Sequence, residues 1–126
     1  MAVTSFRAGA AISAGDVVCL VNGLLEKSIG TSLNQAASVG VAIDSGAAGS
    51  LIRVNPDSIY TSSLTFVPGD IQYLSVATSG AIVDYPSWQT EFDALAVSGA
   101  YLTRVGRAIT TSKIEVEIQK PVYIIK

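Results

Sequence analysis

Apolar and polar positions alternate in short runs along this chain, and Gly, Asn, Asp, Ser or Pro closes most of them. That pattern predicts many short β-strands separated by turns. The clearest unit runs from Ser13 to Lys27, where Gly15-Asp16 opens a strand, Asn22-Gly23 reverses it, and Leu24 to Lys27 returns. Asn-Gly between two apolar runs signals a two-residue hairpin, since both residues tolerate the positive φ of a type I′ turn. A looser copy follows at Pro68 to Val83, opened by Gly69-Asp70 and turned back at Gly80.

Between these hairpins, Ile29 to Ser38 reads as a small polar loop with room for one helical turn at Leu33 to Ala37. Val39-Gly40-Val41-Ala42-Ile43 is a β-branched apolar run, predicted as a strand buried on both faces. Ser50 to Val54 is a further strand, broken by Asn55-Pro56-Asp57-Ser58, and Ile59 to Val67 suits a half-exposed strand or a linker. Trp88, Phe92 and Leu95 recur at helical spacing, predicting one short helix near 87–98, capped by Ser87 and ended by Gly99. Its apolar stripe suits a partner helix or, more simply, a plug over one end of the sheet. Tyr101 to Ile109 reads as one strand. Ile114-Glu115-Val116-Glu117-Ile118 alternates without a fault, setting three apolar side chains toward a core and two carboxylates toward water.

The two halves align in order. Gly15-Asp16-Val17 matches Gly69-Asp70-Ile71, Val39 to Ile43 matches Val105-Gly106-Arg107-Ala108-Ile109, and Ile52-Arg53-Val54 matches Ile114-Glu115-Val116. This degenerate duplication predicts a mainly β domain: a small β-barrel or sandwich of two pseudo-repeated hairpin units, about 11–55 and 66–119. The whole of 1–126 is one β-rich domain, with extended arms expected at 1–10 and 120–126. Gly within each Val-Gly-x-Ala-Ile run allows a bulge where a small sheet must bend. The apolar ending Pro121 to Ile125 either packs on this domain or adds to a neighbouring chain, because an exposed strand of this kind invites association.

Composition narrows the chemistry. Charged residues are 14% of the chain against roughly 25% in an average soluble domain, which suits a surface shared with neighbours. The net charge is −2 and the eight basic residues are scattered, Arg104 and Arg107 being the closest pair, so no nucleic acid is expected as partner. No apolar span approaches the roughly 18 residues of a membrane helix, and Met1 to Ala11 shows no secretory signal, so no membrane partner and a cytoplasmic synthesis are expected.

Histidine is absent, and the single Cys19 has neither an intrachain disulfide partner nor a catalytic base beside it. Gly46-Ala47-Ala48-Gly49 lacks the Lys-Ser/Thr of a phosphate-binding loop. Asp16 and Asp70 hold matching positions and suit either a paired-acid or calcium site, or, more simply, two turn-stabilising carboxylates. Glu115 with Glu117, and Glu91 with Asp93, read as solvated pairs. Tyr60, Tyr73, Tyr85, Trp88 and Tyr101 recur at no common period, so packing explains them as well as a sugar-binding surface does. No catalytic residue, cofactor site or metal site is expected.

The hairpin with Gly-Asp-Val, Val39-Gly40-Val41-Ala42, Ala47-Ala48-Gly49 and Ile52-Arg53-Val54 resembles the capsid decoration (cement) proteins of tailed bacteriophages. The likeness covers Ala11 to Val54. The second half matches only as the internal copy, with Arg107 in its strand and a helix where simpler members have a short loop. The resemblance implies a non-enzymatic virion structural protein on the capsid surface, made in a bacterial host's cytoplasm. Its implied partner is the major capsid protein, held on the outer shell by a terminus that adds a strand to a neighbour. It also implies a homo-oligomer, a trimer by analogy with capsid three-fold positions. Phe6 and Arg7 at one end and Val122, Tyr123, Ile124 and Ile125 at the other are then the partner-binding candidates. Similar modules occur in phage tail fibres and baseplates, which is the alternative placement.

Overall fold

The computed structural model describes residues 3–126. The described residues are mainly β, with two helices and three antiparallel sheets among them. Its sheets stack as a sandwich rather than closing into a barrel, the other form the hairpin pattern allowed.

The first sheet contains β1 (Thr4–Arg7), β2 (Val17–Val21), β3 (Leu24–Lys27), β4 (Ser38–Ala42) and β5 (Leu51–Asn55), in the order β1-β5-β4-β2-β3, with helix α1 (Leu33–Ala36) between β3 and β4. The second sheet contains β6 (Ile59–Thr61), β7 (Ile71–Leu74), β8 (Ile82–Asp84), β10 (Arg104–Ala108) and β11 (Lys113–Val116), in the order β6-β11-β10-β7-β8. Helix α2 (Tyr85–Ala94) and β9 (Gly99–Leu102) lie between β8 and β10, and β12 (Val122–Ile125) pairs with β9 as a two-stranded ribbon. Strand for strand, the two five-stranded sheets have one topology.

The correspondence extends to single hydrogen bonds. Asp16 N–H donates to Ser13 O at 3.0 Å and Asp70 N–H to Val67 O at 3.1 Å. Gly15 N–H donates to Ala42 O at 2.8 Å, as Gly69 N–H does to Ala108 O at 2.7 Å. Both sheets carry a bulge at the same place. Val18 pairs with Gly40 and Cys19 with Ser38, so Val39 is the extra residue; Arg104 pairs with Tyr73 and Gly106 with Gln72, so Val105 is. The hairpin turn also forms as its residues dictate, with φ of 53° at Asn22 and 81° at Gly23.

Three apolar clusters hold the layers together. Ala8, Ile12, Val18, Leu25, Ala42, Ile52 and Val54 fill the concave side of the first sheet. That sheet curls until Ala8 bridges Leu25 and Gly9 N–H reaches Leu25 O at 2.8 Å, without a continuous ladder to close it. Val17 and Val41 point the other way and are covered by Leu74, Val105, Ile114 and Val116 of the second sheet. The second sheet's far side, at Tyr73 and Val83, is covered in turn by Trp88 and Phe92 of α2 with Ala100 and Ile124 of the ribbon. Each layer therefore caps the one before it. Gly40, Val41 and Ala42 are buried because β4 has a covered face on both sides, as its apolar run predicts.

Several boundaries differ from the sequence reading. The helix spans Tyr85–Ala94 rather than 87–98, because Asp84, not Ser87, caps it: Ser87 N–H donates to Asp84 Oδ1 at 2.9 Å. That bond holds the Asp84 carboxyl below its ordinary pKa. At its far end the chain turns extended at Leu95, and Gly99 starts β9 instead of ending the helix. The run Tyr101 to Ile109 is two strands in two sheets. It divides at Thr103, fully buried, whose hydroxyl donates to Ala36 O at 3.0 Å while its carbonyl accepts from Leu74 N–H at 2.9 Å. The helical turn expected at Leu33 to Ala37 forms as α1, in the connection that corresponds to the one holding α2 in the second half.

Candidate interaction surface

Neither end of the described chain is an unpaired arm. Met1 and Ala2 of the expected arm 1–10 lie outside the described residues. Thr4 to Arg7 pair with Val54 to Leu51 as the edge strand of the first sheet. Phe6 packs on that sheet's core, and the Arg7 guanidinium donates to Gly49 O at 2.9 Å. At the other end Val122 to Ile125 pair with Leu102 to Gly99. The two candidate groups thus occupy different sheets and share no strand pairing.

The β12 strand is the more unusual of the two. Ile124 faces inward against the Trp88–Phe92 cluster, but Val122, Tyr123 and Ile125 stay 57%, 48% and 76% exposed. Tyr123 lies across from Tyr101 with ring centroids 5.0 Å apart, so these aromatic rings and Ile125 share the outward face of the ribbon. Neither β9 nor β12 contains a charged residue. The nearest cation, Lys126, is turned inward: its Nζ donates to the Asp93 carbonyl at 3.1 Å and also to that of Leu95, and sits 5.7 Å from the Phe92 ring centroid. It thereby satisfies carbonyls that the end of α2 leaves unpaired. Backbone donors on an edge usually come with a charge or bulge that discourages pairing, and β12 has neither.

The carboxylates divide by role. Asp16 accepts from Ser13 N–H at 2.8 Å within its turn and lies 3.7 Å from the Lys27 ammonium. Asp70 lines a shallow depression with Ile71, Tyr73, Tyr85 and Pro86. Glu91 is not the solvated residue its helix position suggests: its Oε1 accepts from Ser75 Oγ at 2.7 Å and from Val76 N–H at 3.1 Å, tying α2 to the loop after β7. Asp44 forms a two-pronged pair with Arg53, Nη2 to Oδ1 being 2.7 Å, which holds its carboxyl down to about 2. Burial pushes the Cys19 thiol up, away from the thiolate form a nucleophile needs. Among the described residues no three acidic or cysteine side chains converge on a point where a metal ion would sit, and no helix is long and apolar enough to cross a membrane.

The Lys126 contacts and the Glu91 contacts are what sequence reasoning missed. Neither had a signal in the sequence, since each joins groups far apart along the chain. No protein-family model matches this chain, and no curated protein matches it.

Proposed function

We propose that this protein is a non-enzymatic structural component of a phage virion, a decoration subunit that binds the outer face of the major capsid shell and stabilises it. The observation that carries this reading is a layered β core that leaves two edge strands, β1 and β12, open to further pairing. Edge strands take up a partner's strand through backbone bonds, with side-chain pockets setting specificity. The β1 edge offers a second place for such addition. A stiff body with a bonding edge suits cross-linking of neighbouring shell subunits, and many weak contacts over a shell sum to firm attachment.

A second placement, in a tail fibre or baseplate, is favoured by one feature: Tyr123, exposed and packed beside half-buried Tyr101, offers an aromatic face to a glycan. Incubating the full-length protein with expanded, undecorated heads, followed by sedimentation, separates the two. The head reading expects co-sedimentation and a raised temperature of head disruption. Protein left in the supernatant with heads but retained by tails or host glycan overturns it.

A further inference from the structure

We infer that β12 is the interface between two copies of this chain, which join their ribbons edge to edge about a two-fold axis at Ile124. The argument starts from which backbone groups are free. Lys126 N–H donates to Ser98 O at 2.8 Å, and Tyr101 N–H points away from β12 to Gly30 O at 2.7 Å. Antiparallel ladders alternate, so Val122, Ile124 and Lys126 direct their backbone groups at β9, while Tyr123 and Ile125 direct theirs outward. Pro121 has no N–H to offer, which ends the usable edge there.

One antiparallel register satisfies all of these groups with a second copy. Setting Tyr123 across from Ile125 of the second copy gives an exchange of two N–H···O=C bonds, and the two-fold axis repeats it, for four in all. The outward N–H and C=O of both residues are then paired. The same register sets an aromatic ring opposite a β-branched side chain on the outward face, twice, a favourable cross-strand pairing. Ile124 meets its own copy on the inward face. Lys126, opposite Val122 of the second copy, brings no repulsion because its ammonium is held on the end of α2.

Such an arrangement turns two separate two-stranded ribbons, each marginal alone, into one four-stranded sheet over both helices. It is isologous and closed, the form most homodimers take. It leaves the β1 edge free for the shell, so the inference goes beyond the proposed function and stands or falls apart from it.

Sedimentation velocity on the full chain, from low to high micromolar concentration, is the test. The expected species has twice the 13.0 kDa chain mass. Ile125→Pro removes one outward N–H while sparing every bond to β9, so it is expected to give a monomer with unchanged circular dichroism. The register itself is tested by charge exchange. A Tyr123→Glu/Ile125→Glu chain and a Tyr123→Lys/Ile125→Lys chain are each expected to be monomeric and to form a heterodimer when mixed. A monomeric wild type, a trimer indifferent to Ile125→Pro, or double variants that fail to associate on mixing while remaining folded would each overturn the assignment.

Discussion

Gly40 and Gly106 hold the same place in the two sheets, each one residue after a bulged valine and each pressed beneath the backbone of the next strand. A Cβ on Gly40 would lie 2.5 Å from Asn55 O, and one on Gly106 would run into Glu115 O. Both neighbours are strand backbone and have nowhere to retreat. Gly40→Ala and Gly106→Ala are therefore each expected to cost about 1–3 kcal/mol, the usual range for overpacking a filled interior. Urea unfolding gives the measurement.

Trp88 is the chain's single tryptophan and is only 1% exposed, stacked on Phe92 with ring centroids 4.9 Å apart. Truncation of so large a buried ring to alanine costs about 3–5 kcal/mol. Trp88→Ala should lower the unfolding free energy by that amount. Ile125→Ala at the exposed edge should change it by less than about 0.5 kcal/mol in the monomer.

Lys126 closes the end of α2 from a distant part of the sequence. Lys126→Met keeps the aliphatic stem and removes the donors to the Asp93 and Leu95 carbonyls. The expected loss is about 0.3–1 kcal/mol, as for other cations at a helix C-terminus. Hydrogen exchange should quicken in the last turn of α2 and in β12, and remain unchanged in the first sheet.

The Asp44–Arg53 pair predicts an acid limb. Asp44 titrates at about 2 in the fold against an ordinary value of 3.8, so the folded state binds the proton less readily than the unfolded chain. Its contribution to stability is then full above pH 3.8 and is lost as pH falls through about 2. Asp44→Asn should lower the urea midpoint at pH 5, and the gap from wild type should narrow steadily toward pH 2. A gap that stays constant over this range would show that the ionic pair plays no part.

The repeat was the most legible feature, because turn chemistry is local. Gly-Asp, Asn-Gly and Val-Gly-x-Ala-Ile each act within a few residues, and each produces its turn or bulge where the residues stand. The alternation around Ile114 likewise placed Ile114 and Val116 in the core, with Glu115 and Glu117 outside. What stayed hidden depends on distant partners. Nothing near Thr103 announces that the chain changes sheets there, since the cause is Ala36, far back in sequence. Asp84 both ends β8 and caps α2, a double role that the local pattern around Ser87 does not reveal. The candidate edge at Val122 to Ile125 was visible as an apolar ending, but its pairing with β9 was one of two readings left open.

The successive covering of sheets gives the molecule a direction. The first unit hands an apolar back to the second, and the second hands its own to a helix and ribbon that match no part of a further unit. Were α2 as short as the four residues of α1, that back would lie bare and invite a third sheet. The long helix thus closes the second unit's apolar back, the face on which a further sheet would otherwise stack.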